Sequence, residues 1–175
     1  LAENALRQKP PLGGLFRDFS VARKGAEKDT LDLKVQGLTP FVDGARLLAL
    51  AHGVEAISTL ERLRQLTQRG IIEAQDGAAY EEAYHYIQLI RMQHHQAQAR
   101  AAQAYSNRID PDDLNHLDRR ILRESFRQAQ RLQSRRWYSE ALSLPGIARI
   151  TTGICYRELF TNGIAPKLVY HSLRE

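Results

Sequence analysis

The sequence contains one cysteine, Cys155, and no long apolar run. A single cysteine excludes an internal disulfide framework and a CxxC metal site, and it fits the reducing environment of the cytoplasm. No apolar stretch reaches the roughly 18 residues that a membrane-spanning helix needs. We therefore expect a cytoplasmic protein with no membrane partner.

The glycine-rich turns that bind phosphates are also missing. No Gly-Ser dipeptide, no GxxxxGK[ST] motif and no GxGxxG motif occurs. The histidines lack HExxH spacing, which disfavours a zinc site. Carboxylates are dense only at Asp110, Asp112 and Asp113, where we interpret them as helix caps rather than metal ligands. We expect no catalytic residue, metal site or cofactor within this chain.

Positive charge is moderate and dispersed. The net charge is +5, and arginine supplies most of the cations without forming a basic tract. Scattered arginines on helices usually form a solvated surface, whereas nucleic-acid-binding tracts are clustered and interleaved with aromatic residues. Nucleic acid is therefore a disfavoured partner.

The apolar residues that are present recur at helical spacing. They predict helices over residues 39–52, 58–69 and about 78–104, and a fourth that begins near 111 or 115 and ends near 134. No segment before residue 135 shows the alternation typical of a strand. The sequence therefore predicts an all-α fold, a bundle of four main helices with an irregular N-terminal segment and a C-terminal tail of uncertain fold.

Helix boundaries are marked by capping residues. Thr39 is the expected N-cap of the first helix, and Gly53 suits the position after its last turn. Ser58 and Glu61 form a capping box in which the glutamate reaches back to the backbone of the serine. Asp110 or Asn115 is expected to cap the fourth helix.

Two helices have predicted inner faces. The third helix begins with an apolar and aromatic stripe that includes Tyr80, Ile87 and Ile90, and small or polar residues follow along the same face. The inner face predicted for the fourth helix consists of Leu114, Leu117, Ile121, Ser125, Ala129 and Leu132.

Composition divides the chain into three parts. We assign residues 1–30 to a linker or wrapping segment that comes from a missing upstream domain, 31–134 to the helical bundle and 135–175 to a tail of unknown fold. Glutamine and aspartate do not occur in the tail, so it is either a separate segment or non-native sequence. Because the chain starts at Leu1 and its one methionine is Met92, we expect it to be a piece of a longer protein.

Two opposite charges, Asp43 and Arg46, lie three residues apart in the most apolar helix. Residues at this spacing can form an ion pair, and a charge in an apolar helix needs a partner. In one interpretation this pair, with Asp32 and Lys34, fixes the incoming segment to the bundle. In the other, Lys34 and Arg46 face a phosphate-bearing ligand held by a neighbouring domain.

Several segments together resemble one protein family, the nucleotidyltransferase substrate-binding domain, also called the DUF294 C-terminal domain. The resemblance covers about residues 4–134 and fades near residue 135. It is carried by ALRQKPPLGGLFRDF, KDTLDLKVQGLTPFVDGARLLALAHGV, STLERLRQL, RMQHH and NRIDPDDLNHLDRRILRESFRQAQRLQ.

The resemblance implies a function that the residues alone do not reveal. It implies that the helical bundle, 31–134, is a substrate-binding or clamp module beside an upstream nucleotidyltransferase domain related to the PII uridylyltransferases, which would hold Mg²⁺ and NTP. It also implies bacterial signal transduction, with cyclic-nucleotide-binding and CBS domains further upstream. The residues at the family's recurrent polar positions, candidates for substrate binding or for the domain junction, are Asp32, Lys34, Asp43, Arg46, Arg91, His94, Asn107 and Asp110.

A rival hypothesis needs no nucleotide. The bundle would then be a helical interaction or dimerisation scaffold. The acceptor substrate and the preferred nucleotide are left open by the sequence.

Overall fold

The structure is a computed structural model, and it describes residues 9–13, 19–22, 24–25 and 27–134. Within these residues it has four α-helices, and the predicted all-α bundle is confirmed. The helices are α1 (Thr39–Ala51), α2 (Thr59–Gln68), α3 (Ala74–Arg100) and α4 (His116–Leu132). The predictions for residues 135–175, including Cys155, lie outside the described residues.

The first helix is longer than predicted because a π-helical segment, Leu33–Leu38, runs directly into α1. The expected N-cap at Thr39 is wrong. Asp32 caps the π-helix instead, and the Thr39 hydroxyl donates to the Lys34 carbonyl. Asp32 can do this because its carboxylate accepts hydrogen bonds from the first free backbone N–H groups, those of Lys34 and Val35.

Of the two hydrogen bonds predicted for the capping box of α2, one is present. The Ser58 hydroxyl accepts a hydrogen bond from the Glu61 N–H at 3.2 Å. The Glu61 side chain does not reach back, because it accepts a hydrogen bond from Gln65 one turn further on. Gly53 and Gly70, the glycines after α1 and α2, both have positive φ, as an αL helix end requires.

Helix α3 buries the predicted stripe. Tyr80, Ile87 and Ile90 are at most 4% exposed, and the stripe continues to Gln98. The helix begins four residues before the predicted start and ends four residues before the predicted end. Beyond Ile90 its residues are more exposed, because the helix extends past the apolar core.

The inner face of α4 agrees with the prediction in part. Ser125, Ala129 and Leu132 are buried as expected, but the face is rotated towards Leu122 and Phe126. Leu117 is 65% exposed and Ile121 36%, whereas Leu122 and Phe126 are fully buried. Phe126 packs edge-on against Phe19 of the N-terminal segment, with ring centroids 5.9 Å apart. This contact joins distant parts of the chain and places Phe126 in the core.

Two short strands form a ribbon that the sequence did not predict. β1 (Leu31–Asp32) pairs antiparallel with β2 (Arg108–Ile109), so that Leu31 faces Ile109 and Asp32 faces Arg108. A short 3₁₀ turn, Pro111–Asp113, follows β2 and leads to α4. The ribbon joins the end of the wrapping segment to the connection between α3 and α4.

The described part of the wrapping segment lies on the bundle itself. Phe19 is 6% exposed and belongs to the same apolar core as α1, α3 and α4. The Ser20 N–H donates to the Pro11 carbonyl, and the Ala22 N–H donates to the Thr30 carbonyl. Among the described residues, no helix has the length and apolar character to cross a membrane.

Candidate functional site

Most of the predicted site residues gather at the ribbon. Asp32 lies in β1, Asn107 and Asp110 flank β2, and Arg91 and His94 approach the ribbon from α3. We call these five residues the ribbon cluster. Three segments that are far apart in sequence therefore contribute to one polar region.

Arg91 connects α3 to the ribbon. Its Nε donates to the Asn107 Oδ1 at 2.6 Å. The backbone carbonyl of Asn107 accepts a hydrogen bond from the Leu33 N–H at 2.9 Å. Asn107 thus uses its side chain to hold α3 and its backbone to hold the start of the π-helix.

Both aspartates of the ribbon cluster cap helical turns. The Asp32 Oδ1 accepts hydrogen bonds from two backbone N–H groups of the π-helix at 2.8 and 2.9 Å, and its own N–H donates to the Gln36 Oε1. Asp110 caps the 3₁₀ turn by accepting a hydrogen bond from the Asp112 N–H at 2.8 Å. Asn115 caps α4 through the Asp118 N–H. Both alternatives predicted as caps near the fourth helix are therefore used, one for each turn.

The pKa of His94 is lowered by its surroundings. Burial lowers its pKa below the ordinary histidine value, and the charge of the neighbouring His95 lowers the pKa further. A hydrogen bond with the Arg108 backbone and the charge of Asp113 oppose this shift. The Nε2 atoms of His94 and His95 are buried without a hydrogen-bond partner among the described residues.

The remaining predicted site residues lie outside the ribbon cluster. Asp43 and Arg46 form the expected ion pair, with the Asp43 Oδ1 3.7 Å from the Arg46 Nη1. Asp43 is 13% exposed and Arg46 41%, so the arginine is open to solvent. No hydrogen bond or ion pair joins these two described residues to Asp32 or Lys34. The ribbon, rather than a network of these four charges, fixes the incoming segment.

A cleft of about 360 Å³ opens where the wrapping segment meets the ribbon. We call it the seam cleft. It is lined by Ser20, Val21, Ala22, Thr30, Asp32, Val35, Gln36 and Arg108. The first four belong to the wrapping segment and the others to the bundle, so both parts of the chain form this site.

Arg108 is the functional candidate that sequence reasoning missed. Its Nη2 lies 2.6 Å from the Glu27 Oε2, and its Nη1 donates to the Thr30 hydroxyl at 3.4 Å. The side chain is 30% exposed. In the sequence, only its position next to Asn107 in the segment NRIDP pointed to it. Its pairing with β1 could not be predicted from the spacing of nearby residues.

The acidic turn before α4 is engaged in structural contacts. Asp112 forms an ion pair with Arg119, and Arg119 also donates to the Pro111 carbonyl. Within the described part of the chain, no group of three or more histidine, cysteine or carboxylate residues has an arrangement that could hold a metal ion. Of the carboxylates near Pro111, Asp110 has the capping role that the sequence favours, and Asp112 pairs with Arg119.

The chain matches the sequence model of a protein family. Residues 1–138 match the sequence model of the DUF294 C-terminal family, described as "Putative nucleotidyltransferase substrate binding domain". The chain belongs to this family. Comparisons with curated proteins and with solved structures gave no match.

The DUF294 C-terminal match covers every described element, from the wrapping segment through the ribbon to α4. The resemblance found in the sequence is thereby confirmed, and its expected end near residue 134 lies close to the end of the match. The seam cleft and the ribbon cluster both lie inside the matched range. The family description associates the domain with a nucleotidyltransferase and with substrate binding.

Proposed function

We propose that this chain is the substrate-binding module of a nucleotidyltransferase whose catalytic domain is a separate part of the same protein. Membership of the DUF294 C-terminal family carries this proposal. The seam cleft supports it, because a cleft of about 360 Å³ is large enough for a small substrate. The chain alone has no transferase activity in this proposal.

In the proposed nucleotidyl transfer, the catalytic domain and the substrate-binding module have different roles. A hydroxyl or other nucleophilic group of the acceptor attacks the α-phosphorus of an NTP, and pyrophosphate leaves as the nucleoside monophosphate is transferred. Mg²⁺ and the NTP belong to the catalytic domain, where the ion offsets negative charge on the phosphates. The module contributes by holding a reactant in position, which lowers the entropic cost of reaction.

The wrapping segment gives such a module a physical connection to its neighbour. Residues 1–30 are the proposed linker, and residues 31–134 form the proposed binding unit. Phe19 and the ribbon fix the linker to the bundle through apolar packing and backbone pairing. A ligand in the seam cleft touches both parts, so its binding would also stabilise their relative position.

The finer context remains part of the proposal. We propose a relation to the PII uridylyltransferases and a role in bacterial signal transduction in the cytoplasm. Cyclic-nucleotide-binding and CBS domains upstream would then supply the signal. The family description supports only the association with a nucleotidyltransferase.

A helical scaffold for interaction or dimerisation is the second candidate. It is favoured by half-exposed apolar residues on the outer side of α3, where Leu89 is 50% exposed and Met92 59%. Exposed apolar residues of this kind are common in contact surfaces, although single ones also occur on ordinary surfaces. In this candidate the module binds no nucleotide and no acceptor.

One experiment separates the two functions. The protein expressed from the complete gene is titrated with NTP and Mg²⁺, and nucleotidyl transfer is followed by pyrophosphate release. Lys34→Ala and Arg46→Ala are then compared with the parent protein. Loss of affinity in a folded variant supports the binding module, whereas a loss of stability alone supports the scaffold.

Arg127→Ala is a matched control for Arg46→Ala. Arg127 also forms an ion pair with an acidic residue three positions earlier in its helix, and it is similarly exposed. We expect Arg127→Ala to leave both affinity and transfer unchanged. If the complete protein neither binds NTP nor releases pyrophosphate with any acceptor tested, the proposed function is wrong.

A further inference from the structure

The seam cleft combines a guanidinium with neutral hydrogen-bond donors. Among the described residues that line it, Arg108 is the one with a cationic side chain. Ser20 contributes an exposed hydroxyl, and Gln36 contributes its Nε2 because its Oε1 already accepts the Asp32 N–H. Donors of this kind around an arginine suit an oxyanion with several oxygens, such as a phosphate.

Thr30 orients the arginine rather than the ligand. Its hydroxyl donates to the Glu27 carbonyl at 2.6 Å and accepts a hydrogen bond from the Arg108 Nη1. Because a hydroxyl has one proton, this proton is committed to the Glu27 backbone. Thr30 therefore holds one end of the guanidinium at the edge of the cleft.

Glu27 occupies the position that an anionic ligand would take. Its Oε2 lies 2.6 Å from the Arg108 Nη2, and its side chain is 57% exposed. It belongs to a turn in which Gly25 and Asp29 have positive φ. An ion pair this exposed contributes little free energy, so a doubly charged phosphate can displace the carboxylate from the guanidinium.

Asp32 influences which chemical groups a ligand in the seam cleft can carry. Asp32 lines the cleft, and its Oδ1 already accepts two backbone N–H groups. These N–H groups offset part of its negative charge, and the other oxygen can accept a hydrogen bond from a ligand hydroxyl. A ligand that carries both a phosphate and hydroxyls therefore fits the lining better than phosphate alone.

We propose that the seam cleft binds a phosphate ester of a hydroxyl-bearing compound, and that Glu27 holds the Arg108 guanidinium until this ligand replaces it. The proposal rests on the proposed function and names the class of substrate. Arg108 binds the phosphate, Ser20 and Gln36 add hydrogen bonds, and Asp32 accepts from a hydroxyl. The Glu27 carboxylate moves into solvent when the ligand enters.

In the test, the 175-residue chain is titrated with ribose 5-phosphate. Binding is measured by calorimetry and from shifts of the backbone amide NMR signals of Ser20 and Arg108. We expect Arg108→Gln to weaken binding by about tenfold or more, the effect of losing hydrogen bonds from a charged donor. Glu27→Gln is expected to strengthen binding by about two- to fivefold, since it removes a competing exposed ion pair. Arg108→Lys keeps the positive charge but loses the paired N–H donors of the guanidinium. Its affinity should lie between that of the parent chain and that of Arg108→Gln.

Asp29→Asn is the matched control for Glu27→Gln. It removes the same charge from the same turn, but Asp29 pairs with Lys28 rather than with Arg108. Asparagine also tolerates the positive φ at this position. We expect Asp29→Asn to leave the affinity for ribose 5-phosphate unchanged, and we expect ribose and succinate to bind much more weakly.

Several results would overturn the proposal. They are an unchanged affinity in a folded Arg108→Gln variant, an equal gain in Asp29→Asn and Glu27→Gln, and binding of succinate as tight as that of ribose 5-phosphate. If the chain does not bind ribose 5-phosphate but Lys34→Ala impairs substrate binding in the complete protein, only this inference fails. If the cleft binds the phosphate ester and the complete protein transfers no nucleotide, the proposed function fails and the site remains.

Discussion

The helical core and the seam between wrapping segment and ribbon are held together by different forces. In the core, apolar residues such as Phe41, Ile87 and Leu122 are fully buried. At the seam, directional hydrogen bonds and ion pairs join residues far apart in sequence, as in the contact of Arg108 with Thr30 across 78 positions. Burial contributes most of the stability of a small domain, whereas exposed polar contacts contribute little. The core therefore sets most of the stability, and the polar contacts at the seam set how the wrapping segment and the ribbon meet.

The largest expected effect comes from breaking the core where it meets the wrapping segment. Phe126→Ala removes a fully buried ring that contacts Phe19 and should destabilise the fold by about 3–5 kcal/mol. Urea unfolding followed by circular dichroism measures this change. Leu117→Ala, on the exposed side of the same helix, should change stability by less than about 0.5 kcal/mol. Equal losses in the two variants would contradict the observed rotation of α4.

A second prediction sharpens the comparison within the core. Gly77→Ala places a methyl group against the side chain of Thr67, so α2 and α3 must separate or the threonine must move. Thr67 also donates to the Leu63 carbonyl, which limits its movement. We expect a loss of about 1–3 kcal/mol in the thermal or urea unfolding of this variant.

The control for Gly77→Ala is the same change in a Thr67→Ala background. There the two closest atoms of Thr67 are gone and only its Cβ remains, 3.1 Å from the new methyl group, so a small shift suffices. Alanine should then gain up to about 1 kcal/mol over glycine from helix propensity. A change of sign between the two backgrounds would establish that close helix approach, rather than backbone preference, requires the glycine. The same sign in both would refute that explanation.

At the seam, we expect a smaller loss of stability when Asp32, the cap of the π-helix, is replaced. Asp32→Ala removes the acceptor for two backbone N–H groups and should cost about 1 kcal/mol of stability in urea unfolding. Asp32→Asn keeps a side-chain oxygen at the same place and should retain most of the stability. If alanine and asparagine are equivalent, the cap does not determine where this helix begins.

The smallest expected effect is a pH dependence at His94. Because burial lowers the pKa of His94 in the folded protein, the unfolded chain binds a proton at a higher pH than the folded chain does. Its contribution to stability is therefore present above the ordinary histidine pKa of about 6.5 and declines as pH falls below it. His94→Gln should reduce this decline in unfolding curves measured between pH 5 and pH 8.

His85→Gln is the control, since His85 lies on the exposed side of the same helix. We expect its stability to fall with decreasing pH as much as in the parent protein. A decline that is equally steep in the parent and in His94→Gln would show that other groups are responsible for it.

Much of the helical layout could be predicted from the sequence, because helix signals are local. The three predicted ranges before residue 105 fall on α1, α2 and α3, and Gly53 and Asn115 end and begin helices as expected. The inner face of α4 was predicted correctly at its C-terminal end, where Ala129 and Leu132 are buried, but not at Leu117 and Ile121. Its sequence offers two stripes at helical spacing, one through Leu117 and Ile121 and one through Leu122 and Phe126. Spacing alone cannot choose between them.

The candidate site was predictable in part. The resemblance to the family pointed to Asp32, Arg91, His94, Asn107 and Asp110, which the fold brings to the ribbon. It did not point to Arg108, whose importance depends on Glu27 and Thr30 being close to it. The role of each predicted site residue in substrate binding stays a prediction for the experiments above.

The sequence by itself determined that this chain forms helices, where most of them end, and that it belongs with nucleotidyltransferase substrate-binding domains. Those properties follow from residue spacing, capping chemistry and shared segments, all of which lie along the chain. Only the tertiary structure decided that Asp32 faces Arg108, that α4 turns Phe126 inward and that a cleft forms at the seam. Such contacts join distant residues, and their selection depends on how the whole core packs rather than on any local pattern.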